Sequence, residues 1–310
     1  MSFVLVDSLS LPGDPAKANE DASGFDAGAA VVIDGATPLG DSLMPGPSDA
    51  AWIAQFGARR LLAHLRDGNG ARKALRAALA DTQKSFEALR RHPPEEVWQT
   101  PCASMMLAFC PPSALRIASA ATGTSPASAL TRARGREAGV SCEIEFLWFG
   151  DCAALVKQGD AAVTVVGETF DKRAAEALRA QAIGREKGLS PAAGLSRPEF
   201  LGMLRSARNR INSGNSWLFS PEVKAASHVS RRVLKVVPGT ALLLASDGFL
   251  ALASDYGAYS ADSLMTAALS KGFKALGEEL RAIEAGDAGG DRFPRFKKSD
   301  DATALLLRVS

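Results

Sequence analysis

Four short acidic clusters lie far apart in this chain of 310 residues, and most of them border an apolar run. The clusters are Asn19-Glu20-Asp21, Asp34-Gly35, Ser246-Asp247-Gly248 and Asp300-Asp301. The apolar runs cover residues 29–33, 241–245 and 302–309 and are typical of buried strands. A carboxylate at the end of a buried strand loses hydration, which is costly unless a cation meets it. Several such strand ends brought together would form an oxygen-rich site for hard divalent cations.

Each cluster taken alone also has a purely structural interpretation. Asp-Gly is a common turn signal, and Asp-Asp can belong to a solvated loop. The order of all four clusters favours the metal site. NED comes first, then a predicted strand followed by DGAT, then a predicted strand followed by SDG, and finally DDAT followed by a predicted strand. In this order the sequence resembles the metal-dependent type-2C Ser/Thr protein phosphatases of the bacterial PPM type. Residues 149–152 (Phe-Gly-Asp-Cys) resemble that family's Gly-Asp turn, and the motifs together span residues 19–303.

The resemblance implies the reaction and the residues that carry it out. Asp34 would bridge two divalent ions, and the carbonyl oxygen of Gly35 would complete the shell of one of them. Asp247 and Asp300 would hold the other ion, which makes Asp34, Asp247 and Asp300 the predicted catalytic residues. A water shared by two such ions becomes hydroxide at neutral pH and attacks phosphorus in line. The implied function is hydrolysis of phosphoserine and phosphothreonine on proteins.

The remaining acidic residues would complete the metal site. Glu20 and Asp21 match the NED element, which contacts the ions directly or through water, and Asp151 with Asp247 could hold a third ion. Because every expected ligand is oxygen, the predicted cofactor is Mn²⁺ or Mg²⁺, as two or three ions. Zinc would favour histidine or cysteine ligands, and the three histidines lie near none of the motifs.

Two positions depart from the family pattern. Ala36 follows Asp34-Gly35 where many eukaryotic members have a histidine that is a candidate general acid, although many bacterial relatives also lack it. Ala16 stands where the family usually has an arginine that binds phosphate, and the nearest cation is Lys17. We therefore predict that Lys17 binds phosphate as a point charge, with Arg295 or Lys298 of the basic stretch 292–298 as further candidates. The alternative for that stretch is a solvated surface loop.

Two other functions stay open beside the phosphatase. The chain could be a catalytically weak or inactive pseudophosphatase that binds phosphoproteins, or a phosphatase of small phosphomonoesters. The enzyme is favoured because every carboxylate position of the metal motifs is filled, and buried acids destabilise a fold that has lost its ions. Successive residues at a strand entrance face opposite ways, so only one of the two adjacent acids near residue 300 can easily face the site. The resemblance implies that the ligand is the first of them, Asp300.

Composition and charge limit the class of protein. A net charge of +2 with both signs spread along the chain gives no nucleic-acid signature. The four cysteines form no C-x-x-C pair, which favours reduced thiols over disulfides or zinc. No apolar run approaches the roughly 20 residues of a spanning helix. We expect a cytoplasmic monomer that acts on a phosphorylated protein, with a cognate Ser/Thr kinase and without nucleic acid or membrane as partner.

The expected fold class is α+β, because strand-like and helix-like segments come in blocks. Predicted strands cover residues 2–6, 27–33, 102–110, 144–156 (two strands joined at Gly150-Asp151), 162–166 and 302–309. Predicted helices begin after Ser48, at residue 172 and after Ser196. Another predicted helix follows the first and carries Leu75, Leu79, Thr82, Phe86 and Leu89. The resemblance implies a four-layer α-β-β-α sandwich with two central antiparallel sheets. One catalytic domain would span residues 1–310, with a mobile loop at about 120–140 and a flap-like insertion at about 170–230.

Overall fold

The computed structural model describes residues 1–111, 141–168, 182, 198–295 and 297–310. The strands are β1 (Phe3–Leu11), β2 (Asp21–Phe25), β3 (Ala29–Gly35), β4 (Ala103–Phe109), β5 (Cys142–Phe149), β6 (Ala153–Lys157), β7 (Thr164–Val166), β8 (Ser230–Val236), β9 (Ala241–Ala245) and β10 (Ala302–Val309). The α-helices are α1 (Asp49–Arg66), α2 (Ala71–Leu89), α3 (Pro198–Arg208), α4 (Asp247–Ser254) and α5 (Ala261–Gly286). Short 3₁₀ helices cover Val97–Gln99 and Val223–His228.

The strands form two five-stranded sheets, and every pairing within them is antiparallel. The first sheet has the order β1-β10-β9-β6-β7, and the second has the order β2-β3-β4-β5-β8. The strands predicted at 144–156 are confirmed as β5 and β6, joined at Gly150-Asp151. These two strands belong to different sheets, so the Gly-Asp turn carries the chain from one sheet to the other.

Alternating side chains of the central strands bury apolar surface on both faces of each sheet. In β3, Val31 and Ile33 pack against α1 and α2, whereas Val32 lies in the core between the two sheets with Leu244 and Leu305. A strand that is covered on both faces must be apolar throughout, which is why residues 29–33 form an uninterrupted run. Helices α4 and α5 pack on the outer face of the first sheet. The four-layer α-β-β-α sandwich predicted above is confirmed.

Some predicted features lie outside the described residues. They are the loop at about 120–140 and the helix at 172–182 apart from residue 182. Within the range predicted as a flap, the described elements are α3 and the second 3₁₀ helix. In the described part of the chain, none of the helices is both long enough and apolar enough to cross a bilayer.

Candidate metal centre

Three carboxylates from separate parts of the chain meet at one end of the sandwich. Asp34 is near the end of β3, Asp151 lies in the turn from β5 to β6, and Asp247 is the first residue of α4. One carboxylate oxygen from each of the three lies within 4.8 Å of the others. The turn at Asp151 depends on Gly150, whose φ of 63° is a left-handed conformation that glycine adopts without strain. The hydroxyl of Ser104, which is opposite Asp34 in β4, donates a 2.7 Å hydrogen bond to Asp151.

Asp247 is positioned by the junction between β9 and α4. The buried Ser246 accepts a 3.0 Å hydrogen bond at its hydroxyl oxygen from the Thr303 amide, and its own amide donates to the Thr303 carbonyl at 2.9 Å. Ser246 precedes α4 at the N-cap position, but its hydroxyl does not cap the helix. It donates instead to the Asp21 carboxylate at 2.7 Å, and so joins the SDG motif to the NED motif.

Gly248 allows the backbone before β10 to approach α4 closely. A Cβ atom added to Gly248 would overlap the carbonyl oxygen of Asp301, a backbone atom that cannot move aside alone. We predict that Gly248→Ala lowers the free energy of unfolding by about 1–3 kcal/mol, the usual cost of overpacking. Urea denaturation measures this difference.

Gly202→Ala is the matched control for that substitution. A Cβ atom on Gly202, inside α3, meets nothing within 4 Å. Alanine is the better helix former by roughly 1 kcal/mol, so the control should keep or raise stability. Equal stability of Gly248→Ala and the wild type would contradict the close approach described above.

The NED motif is tied to the two strands beside it. Asp21 is directly opposite Asp34 in the β2–β3 pair, and the Gly35 amide donates to the Glu20 carbonyl at 3.1 Å. The Glu20 carboxylate accepts a 2.7 Å hydrogen bond from the Thr37 hydroxyl. Glu20 and Asp21 are therefore held next to the end of β3, and their part in metal binding stays a prediction.

The two adjacent acids before β10 have different partners. The carboxylate of Asp301 accepts hydrogen bonds from the backbone amides of Gly13 and Glu20, each at 2.6 Å. The carboxylate of Asp300 instead receives the ammonium group of Lys297, with Nζ 2.7 Å from Oδ1. Asp301 thus fixes the backbone of the NED motif, whereas Asp300 forms an ion pair with Lys297.

Comparisons with known proteins identify the fold. No protein-family model matches the sequence, and no curated protein matches it. Among solved structures, the serine/threonine phosphatase PstP of Mycobacterium tuberculosis is 15% identical, with a TM-score of 0.54 and complete coverage of both chains. The photosystem II phosphatase PBCP is 11% identical, with a TM-score of 0.50 and 99% of each chain covered. The chain has the type-2C phosphatase fold. Similarity at this level of identity establishes the architecture, so function must be argued from the site.

Burial and mutual repulsion raise the pKa values of acids in this site. Burial, and then the charges of Asp247, Asp21 and Asp151, raise the pKa of Asp34 well above its ordinary value. Burial raises the pKa of Asp21 to about 8; the Ser246 hydroxyl opposes this shift, and nearby carboxylates increase it. The ionised form of such buried acids becomes favourable when a cation lies among them. The donor set is entirely oxygen, which fits Mg²⁺ or Mn²⁺.

Cys152 is buried beside the acids of this site. Burial raises the pKa of its thiol well above the ordinary value, and the neighbouring Asp34 and Asp151 raise it further. The neutral thiol therefore adds no negative charge to the group of carboxylates.

The residues proposed from sequence to bind phosphate lie in different surroundings. The side chain of Lys17 is 79% exposed, and its Nζ is 4.0 Å from the carboxylate of Asp14. Arg295 forms a 2.8 Å ion pair with Asp287 and donates to several backbone carbonyls, so its guanidinium fixes the loop before β10. Lys298 is exposed. The role of Lys17 stays a prediction, and Arg295 has a structural role.

Sequence reasoning missed four polar side chains around the acids. They are the hydroxyls of Ser104, Thr37 and Ser246, and the ammonium group of Lys297. Ser246 is part of the SDG motif, so its position was available as a signal. The others follow from strand pairing and loop conformation, which the sequence does not display.

Proposed function

We propose that this chain is a metal-dependent phosphatase that hydrolyses phosphoserine and phosphothreonine on proteins. The observation that carries the proposal is the group formed by Asp34, Asp151 and Asp247, with carboxylate oxygens within 4.8 Å of one another. The architecture supports it, because the type-2C fold is that of the M. tuberculosis serine/threonine phosphatase PstP. Burial and the neighbouring carboxylates raise the pKa of Asp34 well above its ordinary value, so a cation among these acids would favour the ionised form that a metal-dependent phosphatase needs.

Each acid has a proposed part in holding the ions. Asp34 would hold two of them, the Gly35 carbonyl would add a ligand, and Asp247 with Asp300 would complete the site. Asp151 with Asp247 would hold a third ion more weakly. Bound Mn²⁺ or Mg²⁺ supplies a water of lowered pKa and offsets negative charge on the phosphoryl oxygens.

The neighbouring side chains keep these acids in place. Thr37 orients the Glu20 carboxylate, and the Ser246 hydroxyl orients that of Asp21. Glu20 and Asp21 are proposed to act at the edge of the site, directly or through water. Such support matters because a shift of about 1 Å in a positioning group can lower a rate about a hundred-fold.

In this chain, fewer residues would contact the leaving group and the phosphate of the substrate than in many members of the family. Ala36 follows Asp34-Gly35 and has no proton to donate, so leaving groups of low pKa should be released faster than serine. Lys17 is the proposed phosphate contact. Its ammonium group is charged and exposed, so a phosphate that enters from solvent could bind it. The proposed physiological substrate is a cytoplasmic phosphoprotein modified by a Ser/Thr kinase.

Hydrolysis assays separate the proposed function from its alternatives. Phosphothreonine peptide and p-nitrophenyl phosphate would be incubated with the protein in Mn²⁺, in Mg²⁺ and in EDTA. We expect hydrolysis of both in the presence of a metal, with the aryl ester faster, and none in EDTA. A peptide that binds but is not hydrolysed with any metal would indicate a pseudophosphatase. Hydrolysis of p-nitrophenyl phosphate and sugar phosphates, but not of phosphopeptides, would indicate a phosphatase of small phosphomonoesters.

A further inference from the structure

Lys297 places a cation of the chain itself beside one of the proposed metal ligands. Lys297 Nζ lies 2.7 Å from Asp300 Oδ1, and the two side chains are 31% and 37% exposed. The same Asp300 oxygen accepts the amide of Asp301 at 2.9 Å. One oxygen of a proposed metal ligand is therefore already shared by two donors, one of them positively charged.

The backbone on both sides of this ion pair is fixed. The guanidinium of Arg281, in α5, donates to the carbonyl of Asp300 at 2.8 Å and to that of Pro12 at 3.2 Å. Two residues before Lys297, Arg295 forms an ion pair with Asp287. The two side chains are only 14% and 10% exposed. Because these anchors hold the loop, the ammonium group of Lys297 stays within reach of the acids.

We propose that Lys297 is a tethered counter-cation of the acidic centre, which competes with a divalent ion for Asp300. This inference rests on the proposed function, since it takes Asp300 as a metal ligand. An ion that binds Asp300 must displace the ammonium group from Oδ1 or bind next to a like charge, and either event weakens metal binding. The same ammonium group offsets repulsion among the acids when no metal is bound.

The two effects of Lys297 are linked. A group that stabilises the protein without metal, and loses that contact when metal binds, lowers metal affinity by the same free energy. Lys297 would thus make the fold less dependent on metal, and would raise the metal concentration at which Asp300 becomes a ligand. For an ion pair exposed to this degree, the expected size is roughly three- to five-fold in affinity.

Calorimetric titration of Mn²⁺ into EDTA-stripped protein tests the proposal. We expect Lys297→Met to bind Mn²⁺ roughly three- to five-fold more tightly than the wild type. In EDTA, the same variant should have the lower melting temperature. Arg292→Met is the matched control: Arg292 is exposed in the same loop, with its guanidinium 4.8 Å from the centre of the Phe293 ring. It removes the same charge and should leave Mn²⁺ affinity unchanged.

A second variant keeps the test decisive if Lys297→Met does not fold. Lys297→Arg retains the charge, so its Mn²⁺ affinity should equal or fall below that of the wild type. Tighter Mn²⁺ binding by Lys297→Arg, or unchanged or weaker Mn²⁺ binding by Lys297→Met, would overturn the proposal that Lys297 is a counter-cation. These readouts do not involve turnover. If Lys297→Met binds Mn²⁺ more tightly but the wild type hydrolyses no substrate, the proposed phosphatase function is wrong and the role of Lys297 stands. If the wild type is active but Lys297→Met has unchanged Mn²⁺ affinity, the role of Lys297 is wrong and the proposed function stands.

Discussion

Asp247→Asn is expected to abolish metal-dependent hydrolysis and the rise in melting temperature on addition of Mn²⁺. Asp247 lies with Asp34 and Asp151 in the group of carboxylates, and asparagine keeps its shape but not its charge. A bound metal lowers the reaction barrier by several kcal/mol, and each ~1.4 kcal/mol is ten-fold in rate. The loss should therefore be roughly a thousand-fold or more. Phosphate release and thermal melts at matched Mn²⁺ concentrations measure it.

The same variant should respond differently when metal is removed. In EDTA, Asp247→Asn should melt at or above the wild-type temperature, because one of several repelling acids has been neutralised. Asp160→Asn is the matched control, since Asp160 is an exposed turn residue outside the acidic group. It should keep both the Mn²⁺ response and the rate. Wild-type turnover by Asp247→Asn would reject the metal assignment.

The second large effect separates two adjacent acids. We expect Asp300→Asn to lower the metal-dependent rate by orders of magnitude, because Asp300 is the proposed ligand. Asp301→Asn should cost much less in rate but more in stability. Its carboxylate accepts from the amides of Gly13 and Glu20, and an asparagine side chain offers only one acceptor oxygen. One amide left without a partner costs about 1–3 kcal/mol of unfolding free energy.

Initial rates at saturating Mn²⁺ and urea denaturation distinguish these two variants. The expected pattern is a slow, stable Asp300→Asn and a faster, less stable Asp301→Asn. The opposite ranking of rates would mean that the ligand is one residue later in the chain. A large loss of stability in both variants would instead indicate that Asp300 and Asp301 both have structural roles.

Strands with apolar runs could be predicted from the sequence, whereas β2 and β8 could not. β4 and β10 are buried on both faces, so their residues are apolar almost throughout. β2 is the five-residue segment DASGF, which has no apolar run and depends on pairing with β3. β8 lies at the edge of its sheet, and most of its side chains are exposed or half-buried. It begins at Ser230, where the range that was predicted as a flap ends.

The acids of the candidate site could be predicted because their motifs are local and ordered. Their supporting contacts could not, because the partners are distant in sequence. Ser246 and Asp21 are 225 positions apart, and their contact exists only after β9, β10 and β2 have been brought together. The basic stretch before Asp300 was noted, but only loop conformation decides that Lys297, rather than Arg295, meets the acid.

The central claim is that the acids at Asp34, Asp151 and Asp247 hold ions that catalyse phosphate ester hydrolysis. Its most direct test is phosphate release from a phosphothreonine peptide by the wild type and by Asp34→Asn, each with saturating Mn²⁺. We predict steady release by the wild type, none in EDTA, and a loss of roughly a thousand-fold or more in Asp34→Asn. Equal release by the two proteins, or release by the wild type that persists in EDTA, would contradict the account.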